Sequence, residues 1–355
     1  MSTSLQPAGR AMLIGSQPLS DHGQAMELVL AHVPEIPNWV QLPCFKQEGM
    51  IPQCAPGLPG LTEGAERTYV DTAAAGFDEA VVAFFEEYLT VSENGQDWDK
   101  SRFVLNRERA QGFFTLLETL SGRAEKPFAV KGQITGPITF CTGLTDENRR
   151  AIFYNDTLRD AAIKLLALKA AWQVRQLKRF GAPVICFIDE PALAGYGSSE
   201  FISISQADIT QCLDEVIAAI RAQGGLTGVH VCANTDWTLL LRPGVDIVNF
   251  DTFGYFDKVV LYAEAIKEFL KAGGCLAWGL VPTLRPDQVA AADLESLWAL
   301  WQHQLRQLRE RGLDLEVVRR QSFITPSCGT GSLPPELSLK VLQLTRDLSR
   351  RAMVK

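Results

Sequence analysis

His230 and Cys232 stand two residues apart in the apolar run GVHVC, and a spacing of two on a β-strand turns both side chains to one face. Asp251 closes the run VDIVNFD, and Cys328 follows FITPS. An imidazole, two thiols and a carboxylate are the N, S and O donors that zinc accepts in a tetrahedral shell. HxC alone describes equally well a buried thiol beside a hydrogen-bonded histidine. Asp251 alone reads as a helix cap or ion-pair partner, and Cys328 alone as an inert core thiol. Donors recurring at separate strand ends select the metal reading. Structural zinc draws its ligands from closely spaced pairs, whereas these run from residue 230 to residue 328, which suits a catalytic site better. Zinc whose charge is already offset by thiolates activates water poorly. It still holds an incoming thiol as thiolate near neutral pH, where a free thiol is mostly protonated. The chemistry expected is transfer of an alkyl group to that thiolate.

Such donors meet only if strands bring them to one end of a sheet. Apolar β-rich runs occur at 12–16, 39–42, 128–135, 184–189, 228–232, 247–251, 275–281 and 323–327. They show no in–out alternation, as expected of strands covered on both faces. Helical patterns follow at 24–33, 77–88, 156–180, 207–222, 258–272, 292–311 and 335–353. The clearest is 156–180, which Asn155 or Asp156 can cap and in which Leu158, Ala161, Ala162, Leu165, Leu168 and Trp172 share a face. Eight strands with intervening helices predict an α/β fold, a (β/α)8 TIM barrel forming one domain over 1–355; a doubly wound open sheet is the competing layout. Reactive groups of such a barrel gather at the C-terminal ends of its strands. There the sequence has Ser16, Thr135, Asp189, Glu190, His230, Cys232, Asp251, Trp278 and Cys328. Two irregular stretches, the Pro- and Gly-rich 43–64 and the polar 92–101, read as binding loops or surface excursions.

Composition excludes several classes. The 355 residues are 46% hydrophobic and 21% charged, ordinary for a globular chain and unlike a disordered, coiled-coil or collagen-like one. A net charge of −7 argues against a general binder of nucleic-acid backbones. No window supplies the ~18 uncharged apolar residues of a membrane span, and the N-terminal stretch does not read as a signal peptide. Eight scattered cysteines without a CxxC pair fit free thiols in a reducing cytoplasm. GxGxxG and P-loop motifs are missing, which weakens a nucleotide-binding reading.

The segments LIGSQP at 13–18, QITGPIT at 133–139, IDEPAL at 188–193, HVC at 230–232, VDIVNFD at 245–251 and PSCG at 326–329 span most of the chain. In that order they resemble the C-terminal catalytic barrel of cobalamin-independent methionine synthases. The resemblance implies a zinc site on His230, Cys232 and Cys328. The family's fourth ligand, a glutamate, falls on the shorter Asp251. It further implies homocysteine as the thiol acceptor, with Ser16 and Asp189 holding its amino-acid end. An acidic residue from an HGE-type loop also contributes in the family, and Glu63 and Glu66 are the candidates here. Long members carry a second barrel that helps bind the folate donor. This chain has room for one, like the short core relatives, which implies a methylated corrinoid protein as donor. A coenzyme M-type or other thiol alkyltransferase is the same-fold alternative, and a non-catalytic zinc- or corrinoid-binding barrel is the alternative of a different class. Uroporphyrinogen decarboxylase belongs to the same superfamily but lacks the HxC…C set.

Overall fold

The structure is a computed structural model and describes residues 5–64, 67–95, 97–197 and 203–354. The apolar runs without alternation form strands whose side chains are buried on both faces. They are β3 (Val130–Thr135), β4 (Val184–Asp189), β5 (Leu226–Val231), β6 (Ile247–Phe250), β7 (Cys275–Val281) and β8 (Ser322–Pro326). They make a six-stranded sheet in sequential order with every neighbouring pair parallel. A separate antiparallel hairpin, β1 (Leu61–Glu63) and β2 (Thr68–Val70), lies within the long N-terminal excursion.

The first two expected strands, 12–16 and 39–42, appear as isolated parallel bridges. Ala11 bridges Ile324 of β8, Ser16 bridges Gln41, and Asn38 bridges Lys131 of β3. Backbone bonds from Met12 N to Ile324 O and from Lys131 N to Pro37 O tie these segments to the two edge strands, and one from Gln17 N to Gln41 O ties them to each other. Pro18, Pro37 and Pro43 flank these segments and cannot donate to a ladder, which keeps each contact to a rung or two.

The helices are α1 (His22–His32), α2 (Met50–Cys54), α3 (Phe77–Asn94), α4 (Gln111–Ser121), α5 (Pro137–Gly143), α6 (Asp156–Lys178), α7 (Gln206–Ala222), α8 (Thr252–Val259), α9 (Ala263–Lys271), α10 (Pro286–Ala291), α11 (Leu294–Glu310), α12 (Leu315–Arg320) and α13 (Pro335–Met353). Their starts follow the sequence chemistry. Asn155 accepts from Leu158 N at the head of α6, Ser205 and Asp208 make a reciprocal cap on α7, and Pro335 opens α13. The helix expected over 258–272 is two, α8 and α9, joined by the 3-10 turn Val260–Tyr262.

The stretch 43–64 is ordered by partners outside itself. Lys169 of α6 donates Nζ to Cys54 O (2.9 Å), the last carbonyl of α2, and to Pro56 O (2.6 Å) in the turn that follows. Gln53 accepts from Gln41 Nε2 and donates to Arg109 O. The polar stretch 92–101 begins as the last turn of α3 and includes the 3-10 turn Trp98–Lys100. All eight cysteines are free. No helix of the described residues is long and apolar enough to cross a membrane.

Candidate metal centre

Register across the sheet builds the site. Thr135, Asp189, His230 and Asn249 are successive Cα partners on β3 to β6, so they occupy one rung. Cys232 lies one residue past β5 and shares the face of His230; Cys328 lies two residues past β8. A ring nitrogen of His230 and the Sγ atoms of Cys232 and Cys328 lie within 4.8 Å of one another.

The histidine is prepared for ligation. Asn249 donates both amide hydrogens, to Ala277 O and to Thr325 Oγ1, each at 2.8 Å. Its Oδ1 is therefore the atom turned to His230 Nδ1, and Nδ1 must donate to it. In the neutral ring this leaves the lone pair on Nε2, which is buried and has no hydrogen-bond partner. A buried ring nitrogen with its tautomer fixed from the far side and two sulfurs beside it fits a soft divalent metal.

The charges fit as well. The neighbouring thiol of Cys328, and then the nearby imidazole of His230, pull Cys232 well below the usual thiol range, while the contact with Cys232 and burial push Cys328 up. Burial works against a charged His230, but Cys232 and Asp189 outweigh it and the imidazole is raised. Asp189 is raised by burial, and its Oδ1 is also unpartnered.

These donors form one wall of a cleft of about 280 Å³. Ser16, Glu48, Met50 and Asp189 also line it, and among the described residues its lining holds two carboxylates and no Lys or Arg. Ser16 Oγ accepts from Gly331 N, and Gly329 approaches so closely that a Cβ would fall 2.1 Å from that oxygen, so the mouth beside Cys328 requires glycine.

Several expected residues stand elsewhere. Asp251 is not among the three grouped donors; its Oδ1 accepts from Gly254 N at 2.8 Å and caps α8, and burial raises it to about 6. Glu190 follows Asp189 directly, so the strand period turns it to the opposite face, where it accepts from Ile138 N, Thr139 N and Thr139 Oγ1 at the head of α5. Gly136 makes that approach possible, since its Cβ would lie 2.1 Å from the Glu190 carboxyl carbon. Trp278 does not line the cleft. It is the Cα partner of Phe250 and Ile324, faces the helices, is fully buried among Phe250, Phe256 and Trp301, and donates to Ser322 Oγ. Thr135 shares the rung but is covered by the 43–64 stretch, donating to Met50 O at 2.7 Å. Glu63 is half-exposed and paired with Arg109, and Glu66 lies outside the described residues. The acidic side chain that reaches the cleft from the long excursion is Glu48, which sequence reasoning missed. Nothing in KQEG separates it from a surface glutamate. Asn249 was also missed, although a lone amide inside IVNF is the signature of a buried polar group with a task.

No family model and no curated protein matches the chain. Among solved structures it is similar, at 12% identity over 99% of this chain and 98% of that chain with a TM-score of 0.44, to a GH113 β-mannanase from Alicyclobacillus acidocaldarius in complex with ManMIm. KGPDC from Streptococcus mutans is similar at 11% identity over 68% of this chain and 92% of that chain, with a TM-score of 0.29.

Proposed function

We propose that this chain is a cytoplasmic, methionine synthase-like (β/α)8 barrel that uses zinc to transfer a methyl group to a thiol, most simply homocysteine, from a methylated corrinoid protein. The observation that carries the reading is the meeting of His230, Cys232 and Cys328 beside an unpartnered Nε2 at the edge of an acidic cleft. The parallel sheet, with the 10–17 and 35–42 segments bonded along its edge strands, supports the closed barrel. Zinc bound there would hold the acceptor sulfur as thiolate at neutral pH. Asp189 and Glu48 supply negative charge for an ammonium group, and Asp189 keeps an unused acceptor atom. Ser16 offers a hydroxyl at the same mouth. Holding the nucleophile in place along its line of attack is the residues' share of the catalysis.

An acceptor bearing a sulfonate, such as coenzyme M, would want a cation in this lining, and Glu48 and Asp189 disfavour it. The test is cobalt substitution followed by titration with homocysteine and coenzyme M. A change in the visible cobalt spectrum with homocysteine and a weaker one with coenzyme M is expected. Failure to bind stoichiometric metal ends the proposal, and a spectrum unmoved by every thiol makes the barrel a non-catalytic zinc module.

A further inference from the structure

The carboxylate of Glu48 is held more firmly than its place in a Pro- and Gly-rich excursion would suggest. Glu48 ends the 3-10 turn Lys46–Glu48, and its side chain is only 2% exposed. His22, the first residue of α1, is 5% exposed and stacks on Phe45 with ring centroids 5.7 Å apart and planes 11° apart. From that fixed plane its Nε2 donates to Glu48 Oε1 at 2.7 Å, while Leu42 N donates to Oε2 at 2.8 Å. Each carboxylate oxygen thus has one permanent donor and keeps acceptor capacity for another. His22 does not line the cleft and is not among the grouped metal donors. Among the described residues, the polar contact of its side chain is to the acid that does line it.

Resting on the reading above, we propose that His22 is a positioning residue for acceptor selection. By fixing the Glu48 carboxylate, it presets the cleft for thiols that carry an amine, and it acts on that part of the acceptor alone. A carboxylate free to swing would attract an ammonium less, because the bound geometry would have to be frozen at the moment of binding.

The experiment uses the full chain loaded with cobalt and reads thiol binding from the visible spectrum. Two probes are compared, homocysteine and 4-mercaptobutanoate, the same skeleton without the amine. His22→Phe keeps a ring on Phe45 and removes the N–H, and His22→Gln returns an N–H near the position of Nε2. Loss of a charge-assisted bond is expected to weaken homocysteine binding roughly tenfold in His22→Phe, to leave 4-mercaptobutanoate within about twofold, and to be largely reversed in His22→Gln. Should His22→Phe not fold, His22→Asn, whose N–H is too short to reach Glu48, carries the same comparison. Equal losses for both thiols, or none for homocysteine, overturn the proposal and leave the metal reading standing. The proposal also falls, with the metal reading intact, if the unmodified protein does not prefer homocysteine over 4-mercaptobutanoate. A cobalt spectrum that no thiol moves in the unmodified protein overturns both.

Discussion

Two buried polar regions of this molecule differ in one respect. Around β3, Lys131 donates to Ile14 O and Gln133 Oε1, Gln133 donates to Trp39 O, Gln173 donates to Gln133 O, and Trp39 donates to Gln173 Oε1. None of these side chains has an unpartnered buried polar atom. At the strand ends, by contrast, His230 Nε2 and Asp189 Oδ1 are both left without a partner. An unpaired buried polar atom costs about 1–3 kcal/mol, and these two lie beside two thiols on the wall of a cleft. Unpaired buried polar atoms also occur on Gln17, Asn38, Thr252 and Gln304, so it is the company of two thiols and a cleft that sets the strand-end pair apart from the network around β3.

Substitutions in either region put this difference at risk. Cys328→Ala removes a donor, and zinc or cobalt affinity should fall beyond the ~100-fold typical of losing an outer-sphere partner, as read by competition with a chelating dye. If affinity stays put, the strand-end group is not a metal site. On the saturated side, burial depresses Lys131 from 10.5 to about 8. The folded form then gives up its proton first, so the penalty of a buried ammonium is full below about 8 and is relieved as pH rises toward the unfolded value of 10.5. Relative to Lys131→Met, the unmodified protein should therefore gain up to about 3 kcal/mol across that window in urea unfolding. A constant difference between the two would show that Lys131 titrates as it does in the unfolded chain. Asn249→Leu releases the tautomer lock without touching a donor; metal affinity should drop about 10–100-fold while Cys232 and Cys328 remain reactive to thiol reagents. The smallest effect belongs to Asp251→Asn. The amide can still cap α8 through Oδ1, and metal affinity should change by less than about threefold. A much larger loss would mean that Asp251 leaves its cap to ligate.

The strand ends were the legible part of the sequence. β4 and β7 coincide with the apolar runs at 184–189 and 275–281, and α13 with the pattern at 335–353. The grouping of His230, Cys232 and Cys328 agrees with the donor set read from GVHVC and PSCG. What misled was direction. Glu190 and Trp278 each sit beside an inward-facing position, and the two-residue period sends them outward to α5 and to the α8 and α11 aromatics. Local chemistry also competed with distant chemistry at Asp251, where the head of α8 takes the carboxylate. α5 was not among the helical patterns read from the sequence, although Pro137 at its first turn was a start signal. The break between α8 and α9 carries no Gly or Pro and leaves no mark in the pattern. Glu48 owes its position to His22 and Leu42, contacts that span separate segments and that no spacing rule encodes.

The distance along the chain between the sulfurs has a thermodynamic consequence. Cys328 follows the last strand, whereas His230 and Cys232 belong to the middle of the sheet, and Thr325 of β8 already reaches Asn249 of β6 through a hydrogen bond. An ion gripped by all three would act as a removable rivet between β8 and the middle of the sheet. Its affinity would add to resistance against unfolding by mass action, and chelation would loosen the carboxy-terminal strand and helix before the rest of the sheet gave way.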